Sequence, residues 1–287
     1  MIITSPPFPL NVKKKYGNFQ GEEYKNWFKS LAPIFSKLLA EDGSLVVEIG
    51  NSWEPNRPIQ STLHLECLLS LLHNSDLRLI QEFIVYNPSK LPSPAQWVTV
   101  NRIRTVDSYT HVWWLAKNDF PKADNTKVLR PYSKSMQKLL KKQDYNSGKR
   151  PSEHNISKTG FLKNHGGSIA HNFFELENID NNREVRLPHN VLSFSNTSSN
   201  DYFLKTCREK DVTPHPARMP KGIVDFFIEF LTDENDLILD PFGGSNTTGS
   251  RAEYFNRKWI VSEINENYAE QSLIRFDDPE LNTKIKR

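Results

Sequence analysis

The sequence predicts an α/β protein: a mainly parallel sheet covered on both faces by helices. Two observations carry this. Short apolar runs of strand length alternate with stretches whose apolar residues recur at helical spacing, and one such strand passes through a glycine-rich turn directly into a helix. Sheets of this kind bind ligands beyond the carboxyl ends of their strands. That rule points to the loops after Ile3, Asp240 and Glu263.

Taken in order, Ile2-Ile3 reads as a short first strand. Tyr24, Trp27, Phe28, Leu31, Ile34, Phe35, Leu38 and Leu39 then trace one helical face, with Pro33 inside it expected to kink or split the helix. Asp42-Gly43 ends that helix, and SLVVEI (Ser44 to Ile49) reads as a buried strand. Ser61 is placed to cap a helix through LHLECLLSLL. LRLIQEFIVY (Leu77 to Tyr86) and HVWWLA (His111 to Ala116) are strand candidates. After a long polar stretch, Ile223, Phe226, Phe227, Phe230 and Leu231 mark a helix. LILD and KWIVSE read as strands, and a last helix is expected from Asn267 to Phe276.

Between Asn118 and Lys210 the texture changes: Lys, Asn, Ser and Gly dominate, periodicity is weak, and only SMQKLLKK reads as a helix. This divides the chain into 1–117, an inserted lobe 118–210, and 211–287. Net charge is +3, but Lys117 to His165 holds twelve Lys/Arg against four Asp/Glu, a local +8; the remainder holds 25 Lys/Arg and 30 Asp/Glu, or −5. A basic lobe on a mildly acidic body is the footprint of a nucleic-acid binder, and equally of a solvated, charged loop region. No window reaches the roughly 20 apolar residues of a membrane helix, and the start, MIITSPPFPL, lacks the basic region of a secretory signal. Two cysteines, Cys67 and Cys207, exclude a disulfide framework and a cysteine-rich zinc site, and fit a reducing, cytoplasmic compartment.

Three motifs carry chemistry. LILD runs into Pro241-Phe242-Gly243-Gly244-Ser245-Asn246-Thr247-Thr248-Gly249, where glycines let a ligand approach the backbone and a helix start offers free N–H groups. It is neither a Walker loop nor GxGxxG, and alone it is equally well an ordinary turn. Glu263, closing the next strand, sits where an acid accepts bonds from ribose hydroxyls; alone it also reads as a surface Glu. At the first strand, Thr4-Ser5-Pro6-Pro7-Phe8 gathers the Ser5 hydroxyl and the carbonyls of Ser5 and Pro6 beside a flat ring, which suits a planar group with an amino donor.

Together, TSPPF, DPFGGSNTTG and SEIN resemble the amino-methylating DNA methyltransferases of the permuted (β) group, in which the catalytic motif precedes the cofactor motif. NPSKLPSP with Trp97, Val112-Trp113-Trp114, Arg150-Pro151-Ser152, Gly166-Gly167-Ser168-Ile169 and His215-Pro216-Ala217-Arg218 extend the likeness over nearly the whole chain. The resemblance implies a Rossmann-like, circularly permuted methyltransferase fold with an inserted target-recognition lobe. It implies S-adenosyl-L-methionine as cofactor, held by Asp240, Pro241, Phe242, Gly243, Gly244, Ser245, Thr247, Thr248 and Glu263, with His215 and Pro216 on its methionine side. No metal is implied.

The target base must then leave the duplex. By the same resemblance Phe8 stacks on it, Ser5 Oγ and the Pro6 carbonyl accept from its amino group, Pro7 stiffens the loop, and Tyr86 is a second wall. Double-stranded DNA is the partner, gripped by Lys13, Lys14, Lys15, Arg102 and Arg104, with Lys149, Arg150, Ser152 and His154 in the recognition lobe. Ser at the first position of SPPF favours cytosine N4 over adenine N6, and neither cysteine follows a proline, so carbon-5 chemistry through a thiolate is not expected. The role expected is protection of host DNA alongside a cognate restriction endonuclease. An adenine-N6 enzyme and an inactive DNA-binding fragment are the alternatives. Relatives carry an upstream strand and helix with a Gly-Asp motif near the adenine; the sequence starts at Met1, three residues before Thr4, so a shortened chain with weak cofactor binding is the expectation, and a natural minimal form in which another segment or a second subunit fills the gap is the alternative. His171 to Asn190 matches nothing in the family pattern.

Overall fold

A computed structural model describes residues 1–10, 18–177, 191–195 and 201–281. Its elements are β1 (Ile2–Thr4), α1 (Gly21–Leu38), β2 (Ser44–Gly50), α2 (Leu63–His73), β3 (Arg78–Tyr86), β4 (Tyr109–Ala116), α3 (Lys134–Lys142), β5 (Gly148–Lys149), β6 (Asn155–Ile156), β7 (Phe173–Glu177), β8 (Leu192–Ser195), α4 (Tyr202–Glu209), α5 (Lys221–Leu231), β9 (Leu237–Asp240), α6 (Thr247–Tyr254), β10 (Lys258–Val261) and α7 (Glu266–Ser272). Eight strands form one sheet in the order β10-β9-β1-β2-β4-β3-β7-β8. Every neighbouring pair is parallel except those made by β4, which runs against both β2 and β3. The carboxyl ends of the other seven strands therefore meet the amino end of β4 along one edge.

Alternation along the strands builds two cores. Ile2, Leu45, Val47, Ile49, Trp113 and Leu115 pack on α1 and α2 through Tyr24, Phe28, Phe35 and Cys67. Ile3, Val46, Val85, Val112 and Trp114 face α5 and α6 through Phe226, Phe227 and Ala252. Helix α1 is not split at Pro33: the proline lies on the exposed side, so the hydrogen bond it cannot make is lost to water, and the buried stripe Tyr24, Phe28, Ala32, Phe35 continues past it. Ser61 is not the cap of α2; Thr62 holds that position, while Ser61 Oγ accepts from the Leu63 N–H at 3.4 Å.

The boundary expected at 210 is not where the sheet divides. β7 and β8 are strands of the main sheet, and Phe174 and Leu176 are buried in the core beneath α5. Five-residue and four-residue strands set in polar sequence give too few alternations to be read. The part that does stand apart is 131–167. Its neck is a pair of backbone bonds between Arg130 and Ser168, each 2.8 Å, and it carries α3 and the β5–β6 hairpin. A Cβ on Gly167 would lie 2.5 Å from the Arg130 carbonyl oxygen, so only glycine permits this closure. The unmatched segment from His171 enters β7; residues 178–190 lie outside the described residues. Among the described residues no helix is long and apolar enough to cross a membrane, and no cluster of His, Cys, Asp and Glu is arranged for a metal.

Phe174 offers a direct check on the placing of β7. Phe174→Ala should cost about 3–5 kcal/mol, as for a buried aromatic, and should shift one cooperative urea transition of the whole chain. Two separate transitions, with only the minor one moved, would show β7 to belong to an independent unit.

Candidate active site

One cavity of about 1050 Å³ opens at the carboxyl edge of the sheet. It is lined by the loops after β1, β9 and β10 and by residues of β2, β3 and β4. The sheet thus brings into one space three motifs that lie up to 259 positions apart, from Ser5 to Ile264: Ser5 to Phe8, Pro241 to Thr248, and Ser262 to Ile264, with His215 and Pro216 closing the side.

Asp240 ties two of these loops. Its Oδ1 accepts from Thr4 Oγ1 at 2.7 Å and from the Phe242 N–H at 3.1 Å, and its Oδ2 accepts from Thr248 Oγ1 at 2.7 Å. Burial pushes its pKa up, while these donors act in the opposite direction. Both oxygens are spent inside the protein, so Asp240 shapes the site through Thr4 and Thr248.

The glycine turn is built for close approach. A Cβ on Gly243 would sit 2.1 Å from Val261 Cγ1, and Gly244 has φ +52° with the His215 ring 3.2 Å from where its Cβ would be. The Gly244 N–H donates to Glu263 Oε2 at 2.8 Å, and Glu263 Oε1 accepts from the Asn265 N–H at 2.9 Å. Each carboxylate oxygen of Glu263 keeps acceptor capacity toward the cavity it lines. Asn246, at φ 55°, caps α6 by accepting from the Gly249 N–H at 2.9 Å. Ser245 is held from behind: Arg275 donates to its carbonyl at 2.6 Å and to its hydroxyl at 2.9 Å. His215 Nδ1 turns to Ala217, and its ring meets Tyr268 edge-on at 4.6 Å. A glycine cradle, a helix start and a carboxylate with spare acceptors fit a nucleoside with an attached charged chain.

Ser5, Pro6, Pro7 and Phe8, on the loop of the neighbouring strand β1, line the same cavity. The loop is braced by Tyr24, whose hydroxyl donates to the Pro7 carbonyl at 2.6 Å. The Phe8 ring packs against Gly50, where any Cβ would be 2.4 Å from it. Beside Ser5 stands Glu48, which sequence reasoning does not single out because it sits inside the apolar run SLVVEI. It lies on the same strand face as Val46, is 8% exposed and lines the cavity. Burial pushes its carboxyl up to about 7, against the opposing pull of the Ser5 and Thr110 hydroxyls and the Lys90 ammonium. A charged residue alternating into a buried face is the signal that would find it.

Other expectations are redrawn. Tyr86 is not among the residues that line the cavity: its ring packs against Phe173 at 6.1 Å, while Val85 of β3 and Tyr109 and Thr110 of β4 line it. Asn87 and Lys90 also line the cavity. Arg104 is engaged within the protein, its guanidinium 3.5 Å over the Trp53 ring and donating to the Pro58 carbonyl at 3.0 Å; Arg102 is exposed, at φ 53°. Lys149, Arg150, Ser152 and His154 come together on the β5–β6 hairpin, whose turn closes through the Arg150 N–H to the His154 carbonyl at 2.8 Å. Lys13, Lys14 and Lys15 lie outside the described residues. Both cysteines are buried and unpaired, and burial pushes the Cys67 thiol up to about 12, which leaves no ready thiolate.

Known proteins resemble this chain over most of its length. The type II methyltransferase M.PvuII of Proteus hauseri is 41% identical over 280 residues, 97% of this chain and 78% of the relative. The DNA adenine methyltransferase YhdJ of Escherichia coli is 40% identical over 63 residues, 22% of this chain and 21% of that one. The solved structure of the PvuII DNA methyltransferase (cytosine-N4-specific) superposes with a TM-score of 0.69 at 35% identity, covering 96% of this chain and 78% of that one. TTHA0409 of Thermus thermophilus, at 14% identity and a TM-score of 0.51 over 98% of this chain and 85% of that one, shares the fold. The N6_N4_Mtase profile, described as DNA methylase, matches residues 1–273, and the chain belongs to this family of DNA methylases.

Proposed function

We propose that this DNA methylase transfers a methyl group from S-adenosyl-L-methionine to the N4 amino group of a cytosine turned out of duplex DNA. The observation that carries the reading is a single cavity lined both by the acceptor cluster of Ser5 to Phe8 and by the Gly243, Gly244, Glu263 cradle. S-adenosyl-L-methionine supplies the methyl group as a sulfonium. Gly243, Gly244 and Glu263 hold its nucleoside part, with His215, Pro216 and the start of α6 toward the charged chain.

Phe8 offers its face to the base. Ser5 Oγ and the Pro6 carbonyl accept from the amino N–H groups, which fixes the nitrogen and directs its lone pair away from the ring plane. Glu48 acts through Ser5: as a carboxylate it draws the Ser5 hydroxyl hydrogen toward itself and leaves the Oγ lone pairs for the amino group. The 131–167 lobe, carrying Lys149, Arg150, Ser152 and His154, is the target-recognition unit, with Arg102 and the 13–15 lysines on flanking phosphates. Such an enzyme works in the cytoplasm, protecting DNA from a cognate endonuclease.

Three outcomes follow. Unmethylated plasmid DNA treated with the chain and S-adenosyl-L-methionine, then digested to nucleosides, should yield N4-methylcytosine; N6-methyladenine alone would overturn the choice of base. Ser5→Ala should lower turnover roughly 10²-fold, the scale for one preorganised partner, while cofactor affinity measured by calorimetry stays within about threefold. Turnover of the parent chain should rise with pH through about 7 as Glu48 ionises, and Glu48→Gln should flatten that rise. Because the folded-state pKa is raised, the stability contributed by Glu48 is full below about 4.5 and is lost as pH rises through about 7. Urea midpoints of Glu48→Gln should therefore vary less over that window than those of the parent.

A further inference from the structure

Between β3 and β4 the chain leaves the sheet for 22 residues, 87–108, and returns to the same edge. The excursion is ordered from within. Its neck closes through the Asn87 N–H to the Ser108 carbonyl at 2.7 Å, and a π-helical turn, Gln96–Val100, is locked by Gln96 Nε2 donating to Asn101 Oδ1 at 2.7 Å. The Ile103 N–H reaches the Trp97 carbonyl at 3.0 Å, and Arg104 pins the returning arm to Trp53 and Pro58. Yet this ordered loop holds large aliphatic side chains out in water: Leu91 is 80% exposed, Val100 67% and Ile103 60%.

The surroundings of these side chains select the partner. From Asn87 to Ser108 the sequence holds Lys90, Arg102 and Arg104 against one acid, Asp107, whose Oδ1 accepts from Asn51 Nδ2 at 3.0 Å; with Arg104 engaged on Trp53, Lys90 and Arg102 are the cations left toward a partner. Cations around apolar side chains complement a surface that is anionic outside and apolar within its stack, which is what duplex DNA presents. Position selects the residue. Lys90 and Asn87 line the cavity, and the Lys90 charge is felt by Glu48 on its floor. Leu91 is therefore the exposed aliphatic next in sequence to the cavity wall. Pro92 follows it directly and restricts its backbone, so holding it outward costs little further conformational entropy.

We propose that Leu91 is the wedge that enters the base stack when the target base leaves it. This inference rests on the reading above that the base must be extruded to reach Ser5. Extrusion breaks stacking and pairing and opens an apolar gap, and a leucine side chain placed there restores contacts and slows the return of the base. The loop is thus a DNA-contacting element separate from the 131–167 lobe, and it acts on extrusion rather than on sequence reading.

The test uses the full chain, S-adenosyl-L-methionine and a short synthetic duplex carrying the site mapped in plasmid DNA. The target cytosine is either paired with guanine or placed opposite an abasic position, where extrusion is already easy. Leu91→Ala, in an exposed side chain, leaves the core untouched. Phe120→Ala, 90% exposed beyond the other end of β4, is the control. On the paired duplex Leu91→Ala should lower kcat/KM roughly tenfold while Phe120→Ala changes nothing; on the abasic duplex the Leu91→Ala loss should shrink to within about twofold. Equal losses on both duplexes, or no loss on the paired one, would overturn the wedge. Light scattering that shows Leu91→Ala dissociating a dimer would assign the loop to a second copy and also overturn it. A parent chain inactive on both duplexes would instead remove the methyl-transfer reading itself, and the wedge with it.

Discussion

The buried carboxylate of Asp240 is the constraint on which the site depends. It ends β9 between two loops that must face each other, and it holds Thr4 at the end of β1 with one oxygen and Thr248 at the start of α6 with the other. A carboxylate with so little water around it is costly unless its lone pairs are used, and here the Phe242 N–H supplies a third donor. The result is a fixed separation between the wall that bears Ser5 and the turn that bears Gly243 and Gly244. Losing any one donor would leave a buried acceptor short and let the two walls drift.

A second layer of charge stiffens the same region from behind. Burial pulls the Arg275 guanidinium down to about 10, so it remains a cation at neutral pH while it clamps Ser245 and lies 4.3 Å over the Phe203 ring. Arg251 on α6, 5% exposed, is forked onto Asp225 of α5. These pairs orient α6 relative to α5. The helix start that closes the cradle is thereby set by ionic contacts as well as by packing.

The part of this architecture legible in the sequence is the part with strong periodicity or local chemistry. LILD, KWIVSE and SLVVEI lie where their apolar runs place them, and TSPPF, DPFGGSNTTG and SEIN meet in one cavity because a parallel sheet puts all strand ends on one side. What is not legible depends on tertiary context. Pro33 reads as a break, but which side of α1 faces water cannot be told from spacing alone. β7 is hidden because its core residues Phe174 and Leu176 are embedded in polar sequence, and their partners in α5 lie some fifty residues on. Glu48 escapes notice because a single acid in an apolar strand carries no motif; only its neighbours, Ser5 and Thr110, give it meaning.

β4 is the one strand of the main sheet, among the described residues, that runs backward. A backward strand next to β3 means that the connection joining them both departs from and lands on the working edge, with feet at Asn87 and Ser108. The sheet register on either side is set by the strands alone. Material can therefore be added to or taken from that connection without moving a strand, and the same holds for the stalked 131–167 unit on its two-bond neck. The scaffold separates what must stay constant from what can be exchanged: one rigid half-site fixed by hydrogen bonds, and two tethered inserts whose length and sequence can change without disturbing it.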